Sequence, residues 1–155
     1  MNKNIGLNQN YSVKMAEAMN AYLSDVQVAY MNVRGYHWNV VGKQFFALHA
    51  KYEEVYNGLN EMADEVAERI LMLGGKPLHS YSDYLKTASL KEKQNVSSAE
   101  ATVEALLDDL KYLLAKEREL LKEASENNDE GTVAMLSGYI GQQEKMIWMF
   151  SSLLK

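Results

Sequence analysis

The chain has 155 residues, 47% of them hydrophobic, with a net charge of −5, one Pro and no Cys. This suffices for one domain, 1–155, with a single core behind a short polar tail, 1–10. Disulfides and thiolate metal sites are excluded, so any metal must take nitrogen and oxygen ligands. The negative charge gives no general attraction to nucleic acid. No apolar run approaches the roughly 20 residues of a membrane span. Residues 1–10 lack the apolar core of a signal peptide, and a cytoplasmic location is expected.

Four long helices are expected. The first covers about residues 11–38, where Met15, Met19, Tyr22, Val26, Ala29 and Val33 draw one apolar stripe. The second covers about residues 44–73, with Phe45, Leu48, Tyr52, Val55, Leu59, Met62, Val66, Ile70 and Leu73, and ends at Gly74-Gly75-Lys76-Pro77. The third starts at a capping box, Ser97 to Glu100, and continues through Val103, Leu106, Leu110, Leu113 and Leu121 to Asn127-Asn128-Asp129. The fourth runs from Glu130 through Val133, Leu136, Ile140, Ile147 and Phe150 to the C-terminus.

Residues 39–43 join the first two helices and demand an antiparallel hairpin; the last two are joined as tightly. About twenty residues, 74–96, separate the hairpins, with a short helix expected over 82–86. The predicted fold is therefore all-α: a four-helix bundle with one long crossover, helices two and three parallel, the topology of ferritin-like proteins.

Only three His are present. His79 lies in the crossover and reads as a solvated loop residue. His37 and His49 flank the hairpin turn, which places them at similar heights on adjacent helices. Asp64 and Glu68 form an i, i+4 carboxylate pair on helix two. Neither they nor His49 point squarely into the bundle core, yet the same face carries Tyr56, Ala63, Ala67 and Leu71, apolar enough to expect a cover. His49 and Asp64 are about 22 Å apart at 1.5 Å rise per residue and cannot share an ion within one chain. If two copies of helix two pack antiparallel about a two-fold near Tyr56, two identical sites form, each with two imidazoles from one copy and two carboxylates from the other. The alternative di-iron design needs Glu-x-x-His inside the bundle. It is disfavoured, because Arg34, Phe46 and Lys76 precede the three His by three positions.

The stretch from His37-Trp38-Asn39-Val40-Val41-Gly42 to Ala47-Leu48-His49 closely resembles the signature of the Dps proteins, or miniferritins. The likeness continues through Tyr52-Glu53-Glu54-Val55-Tyr56 and Ala63-Asp64-Glu65-Val66-Ala67-Glu68-Arg69-Ile70. The resemblance implies a hollow twelve-subunit shell with inter-subunit iron centres. These would oxidise ferrous iron, preferably with hydrogen peroxide, and store a ferric mineral as protection against oxidative stress. It places His37, His49, Asp64 and Glu68 on the iron-ligand positions and Glu53 as a supporting neighbour. Trp38 matches a residue that absorbs stray oxidising equivalents, an interface packing role being equally open. Glu126, Asp129 and Glu130 fall where the family has three-fold entry pores; an ordinary polar turn with Asp129 as N-cap is the alternative. Members that coat DNA carry a tail with several Lys or Arg, whereas residues 1–10 hold only Lys3. DNA binding is therefore not expected. The competing function is a DNA-coating or purely structural shell with a vestigial metal site.

Overall fold

The computed structural model describes residues 5–155, so Lys3 and the first part of the tail lie outside the described residues. Helix α1 (Gln9–Asn39) begins inside the expected tail, where the Asn8 side chain accepts a hydrogen bond from the Tyr11 N–H at 3.1 Å. After the turn, α2 spans Phe45–Met72. The short α3 covers Tyr81–Thr87, capped by Ser80. Helix α4 spans Ala99–Glu126 and α5 spans Glu130–Leu153. There is no strand among the described residues, so the expected all-α class holds.

The start of α4 differs from the expected capping box. Ser98, not Ser97, is the N-cap, accepting from the Ala101 N–H at 3.1 Å. The reason is tertiary. Val41 N–H donates to the Ser97 carbonyl at 2.9 Å, and an isolated parallel bridge pairs Val41 with Ser98, whose backbone is extended. Glu100 then falls at the second helical position and cannot close the box.

Contacts at the two ends of the bundle fix the chain directions. Tyr52, early in α2, donates to Thr102, early in α4, at 2.7 Å. Arg69, late in α2, donates to Thr132 and pairs with Asp129 just beyond the end of α4. Helices α2 and α4 are therefore parallel, as the crossover length required. The predicted stripes of α1 and α2 are buried, Phe45 alone being half-covered, while Leu121 is half-exposed and Leu120 takes its place in the core.

Buried polar residues staple the crossover to the bundle. Asp25 accepts the main-chain N–H groups of Ser89 and Leu90, and Asn32 bonds the Lys91 carbonyl and the Lys93 N–H. Lys93 completes the group by pairing with Asp109. These bonds satisfy backbone polar groups that a loop lying on a core would otherwise leave unpaired. Gly75 is required for close approach, since a Cβ there would stand 2.6 Å from the Cβ of Ala16. The crossover covers part of the outer face of α2. Ala63 is buried, and Ala67 is half-covered beside Pro77, Leu78 and Tyr84. A second copy is therefore not needed to explain all of that apolar face.

Candidate metal centre

The hairpin brings His37, near the end of α1, against His49, one turn into α2. Their rings stack with centroids 3.8 Å apart and planes 15° apart. Each Nδ1 lies 2.7 Å from the main-chain carbonyl of the other residue. A carbonyl only accepts, so each Nδ1 carries the proton and, in the neutral ring, the lone pair sits on Nε2. This outer hydrogen bond is the device that orients metal-ligating histidines and fixes their tautomer.

Aromatic neighbours immobilise the pair. Phe45 stacks on His49 at 5.0 Å, and Tyr56 meets His37 edge-on at 5.3 Å. Trp38, 57% exposed, lies against Arg34, whose guanidinium carbon is 4.9 Å from the indole centroid. Glu53, one turn after His49 on α2, is exposed.

Asp64 and Glu68 are both exposed on α2, one turn apart. The helix is continuous from Phe45 to Met72, so they lie far along the rod from the histidines. Among the described residues, no three His, Asp or Glu side chains gather closely enough to hold a metal. One subunit thus presents an oriented pair of imidazoles near the start of α2 and a pair of exposed carboxylates towards its end.

The acids at the α4–α5 turn divide. Asp129 is 1% exposed and caps α5 through the Thr132 N–H at 2.9 Å. It also accepts from the Tyr11 and Thr132 hydroxyls and pairs with Arg69 at 2.6 Å. Burial by itself would raise its carboxyl, but these hydrogen bonds and the Arg69 charge outweigh it and hold the group below its ordinary value. Glu126 and Glu130 are exposed. The N-cap alternative describes Asp129, and only the two glutamates stand free at this end.

One buried cluster escaped the sequence reading. Glu117 of α4, fully buried, accepts from the Tyr22 hydroxyl of α1 at 2.6 Å and from the Gln143 amide of α5. Burial pushes the Glu117 carboxyl up to about 7. Its signal was a gap: the stripe of α4 skips from Leu113 to Leu121, and that of α5 from Ile140 to Ile147. Glu117 and Gln143 occupy those skipped positions and face each other.

Comparison with known proteins agrees with this architecture. Residues 16–155 match the family model for the ferritin-like domain. The chain is 43% identical over 147 residues to the DNA protection during starvation protein of Porphyromonas gingivalis, covering 95% of this chain and 92% of that one. It superposes with a TM-score of 0.95 on the crystal structure of a Dps protein from Vibrio cholerae O1, described as a member of a superfamily of ferritin-like diiron-carboxylate proteins. The identity there is 48%, with coverage of 97% and 95% of the two chains. A Dps protein from Bacillus brevis superposes at 0.91 with 32% identity, covering 96% of this chain and all of that one. The chain belongs to the ferritin-like proteins and, within them, to the Dps family.

Proposed function

We propose that the protein binds ferrous iron at sites shared between two copies and oxidises it, with hydrogen peroxide as the oxidant. The observation that carries this reading is the separation of one ligand set by the rigid α2, with His49 and its α1 partner His37 at one end and Asp64 and Glu68 towards the other. The imidazoles of His37 and His49 are held through Nδ1, which leaves the lone pair on Nε2, while Asp64 and Glu68 are exposed about 22 and 28 Å from His49 along the helix. Antiparallel packing of two α2 helices about a two-fold near Tyr56 unites the halves twice, because an isologous contact repeats each pairing. Mixed imidazole and carboxylate ligands suit ferrous iron. The printed description of the Vibrio cholerae relative, a diiron-carboxylate superfamily member, supports the metal.

Two ferrous ions supply the two electrons that reduce one peroxide to water. Paired oxidation avoids the one-electron step that releases hydroxyl radical. Glu53 supports the centre, and Trp38, beside His37 in sequence and exposed, takes up oxidising equivalents that escape it. The ferric product is stored inside a shell of twelve subunits, which Glu126 and Glu130 help iron to enter. Cytoplasmic location and protection from oxidative stress belong to the same reading. No helix among the described residues is long and apolar enough to cross a membrane.

The test is anaerobic loading of the assembled protein with ferrous iron, followed by peroxide. Ferric absorbance growing in proportion to peroxide, with particle size unchanged, is expected. Peroxide that persists beside ferrous iron would reject the oxidase reading and favour a structural or DNA-coating shell.

A further inference from the structure

Helix α5 is fastened to the core unevenly. Between Leu136 and Phe150 its fully buried residues are Tyr139 and Gln143, both polar. Gly138 and Gly141 lie in the same stretch, and each weakens a helix interior relative to Ala. The bond of Gln143, 1% exposed, to Glu117, 0% exposed, is therefore a main tie between the middle of α5 and α4.

That pairing is half made. Gln143 Nε2 donates to Glu117 Oε1, which also accepts from the Tyr22 hydroxyl at 2.6 Å. The other oxygen of each group, Glu117 Oε2 and Gln143 Oε1, is buried with no hydrogen-bond partner. While the carboxyl is ionised both oxygens only accept, and neither can satisfy the other. A proton on Oε2 turns it into a donor. With Nε2 already on Oε1, the broad terminal torsions of Glu and Gln let Oε2–H close on Gln143 Oε1. The two planar groups then form a ring with two hydrogen bonds, and one proton satisfies both atoms.

The surroundings favour the neutral acid. The Tyr22 phenol faces the cluster from α1. Tyr139 faces it from α5, its hydroxyl donating to the exposed Glu65 of α2. The cation acting on Glu117 is Arg118 of α4, which is exposed and paired with Glu144 of α5. That guanidinium lies in water, too screened to neutralise a buried carboxylate.

We propose that Glu117 and Gln143 are a proton-operated clasp: the ring is closed at acid pH, ionisation of Glu117 opens it, and the middle of α5 then loosens from α4. In the open state Oε2 and Gln143 Oε1 repel as two acceptors, and the proton has gone to solvent. Burial pushes the Glu117 carboxyl up to about 7, so the clasp works below and through neutrality.

Hydrogen exchange of the assembled protein, corrected for the intrinsic pH dependence of amide exchange, tests this. Opening that wets Glu117 releases its proton, so it becomes easier as pH rises, by up to about tenfold per pH unit. Residues 138–147 are expected to exchange more than about tenfold faster at pH 7 than at pH 5, while the core of α2 stays level. Glu117→Gln can close an amide–amide ring with no titrating proton, and should stay protected at both values. Gln143→Met removes the ring at similar volume, and should exchange faster than wild type at pH 5. Infrared spectroscopy gives a second readout. A protonated carboxylic-acid band should be present at pH 6, fade by pH 8, be missing in Glu117→Gln and be displaced in Gln143→Met. Equal acceleration along every helix would make Glu117 an ordinary core acid and overturn the clasp. Exchange of residues 138–147 that ignores pH would overturn it too, as would wild-type protection of Gln143→Met at pH 5. Where a variant fails to assemble, the wild-type infrared band decides, its absence at pH 6 rejecting the proposal.

Discussion

His37 and His49 hold each other by a reciprocal lock: each ring donates from Nδ1 to the other residue's main-chain carbonyl at 2.7 Å, and the rings stack at 3.8 Å. The acceptors are backbone atoms, so each ring keeps its acceptor when the other side chain is removed. His37→Ala and His49→Ala are therefore expected to weaken Zn2+ or Fe2+ binding through loss of a direct ligand, by more than the roughly 10–100-fold that loss of an outer-shell partner costs. Thermal stability should fall by less than about 2 kcal/mol. Calorimetry beside a melting curve checks both, and unchanged affinity in either variant would refute the ligand assignment.

The double substitution Asp64→Asn with Glu68→Gln keeps shape and removes ligand charge from two exposed positions. Rapid ferrous oxidation should be abolished while the assembly stays intact by sedimentation. An intact variant that oxidises iron at the wild-type rate would sink the proposed centre.

Glu117 gives the core a pH dependence. The folded subunit holds a proton there up to about pH 7, whereas an unfolded chain releases it near 4.5. Folding takes up a proton between those values, so this group makes stability fall as pH rises from 4.5 to 7, by up to ~3 kcal/mol. Glu117→Gln keeps the contacts without the charge. It should melt higher than wild type at pH 8 and about equally at pH 5; a stability profile as steep as that of the wild type would disprove the assignment.

At the α4–α5 turn the three acids should behave differently. Asp129→Ala removes the cap of α5, leaves the buried Tyr11 hydroxyl without its acceptor and takes the carboxylate from the half-buried Arg69, which keeps Thr132, and is expected to cost about 2–4 kcal/mol in denaturant unfolding. Glu126→Gln with Glu130→Gln should leave stability within about 1 kcal/mol and slow iron uptake at low salt. Uptake insensitive to both the substitutions and ionic strength would exclude an acidic entry.

Duplex DNA is expected not to bind at physiological salt, because affinity comes chiefly from Lys and Arg neutralising phosphates and this chain carries −5. Lys86, Lys91 and Lys93 concentrate charge in the crossover, but the Lys93 ammonium is paired with Asp109 and bonded to the Ala105 carbonyl. Plasmid retardation at sub-micromolar particle in a gel-shift titration would reverse this expectation.

The helices, the two hairpins and the crossover were legible because apolar periodicity and breakers are local properties of the chain. The pairing of His37 with His49 was legible for a related reason: a five-residue turn leaves two antiparallel helices little freedom of register. The same rigidity of α2 separated His49 from Asp64 by arithmetic alone. Tertiary structure decided what local pattern cannot carry. Ser98 caps α4 in place of Ser97 because a residue more than fifty positions away takes the Ser97 carbonyl. Asp129 is buried because Tyr11 and Arg69, from two other helices, converge on it. Glu117 reads as an ordinary helical glutamate until Tyr22 and Gln143 enclose it. In each case the deciding term is the desolvation and pairing of a polar group, which depends on what the folded chain places beside it rather than on its own place in a stripe.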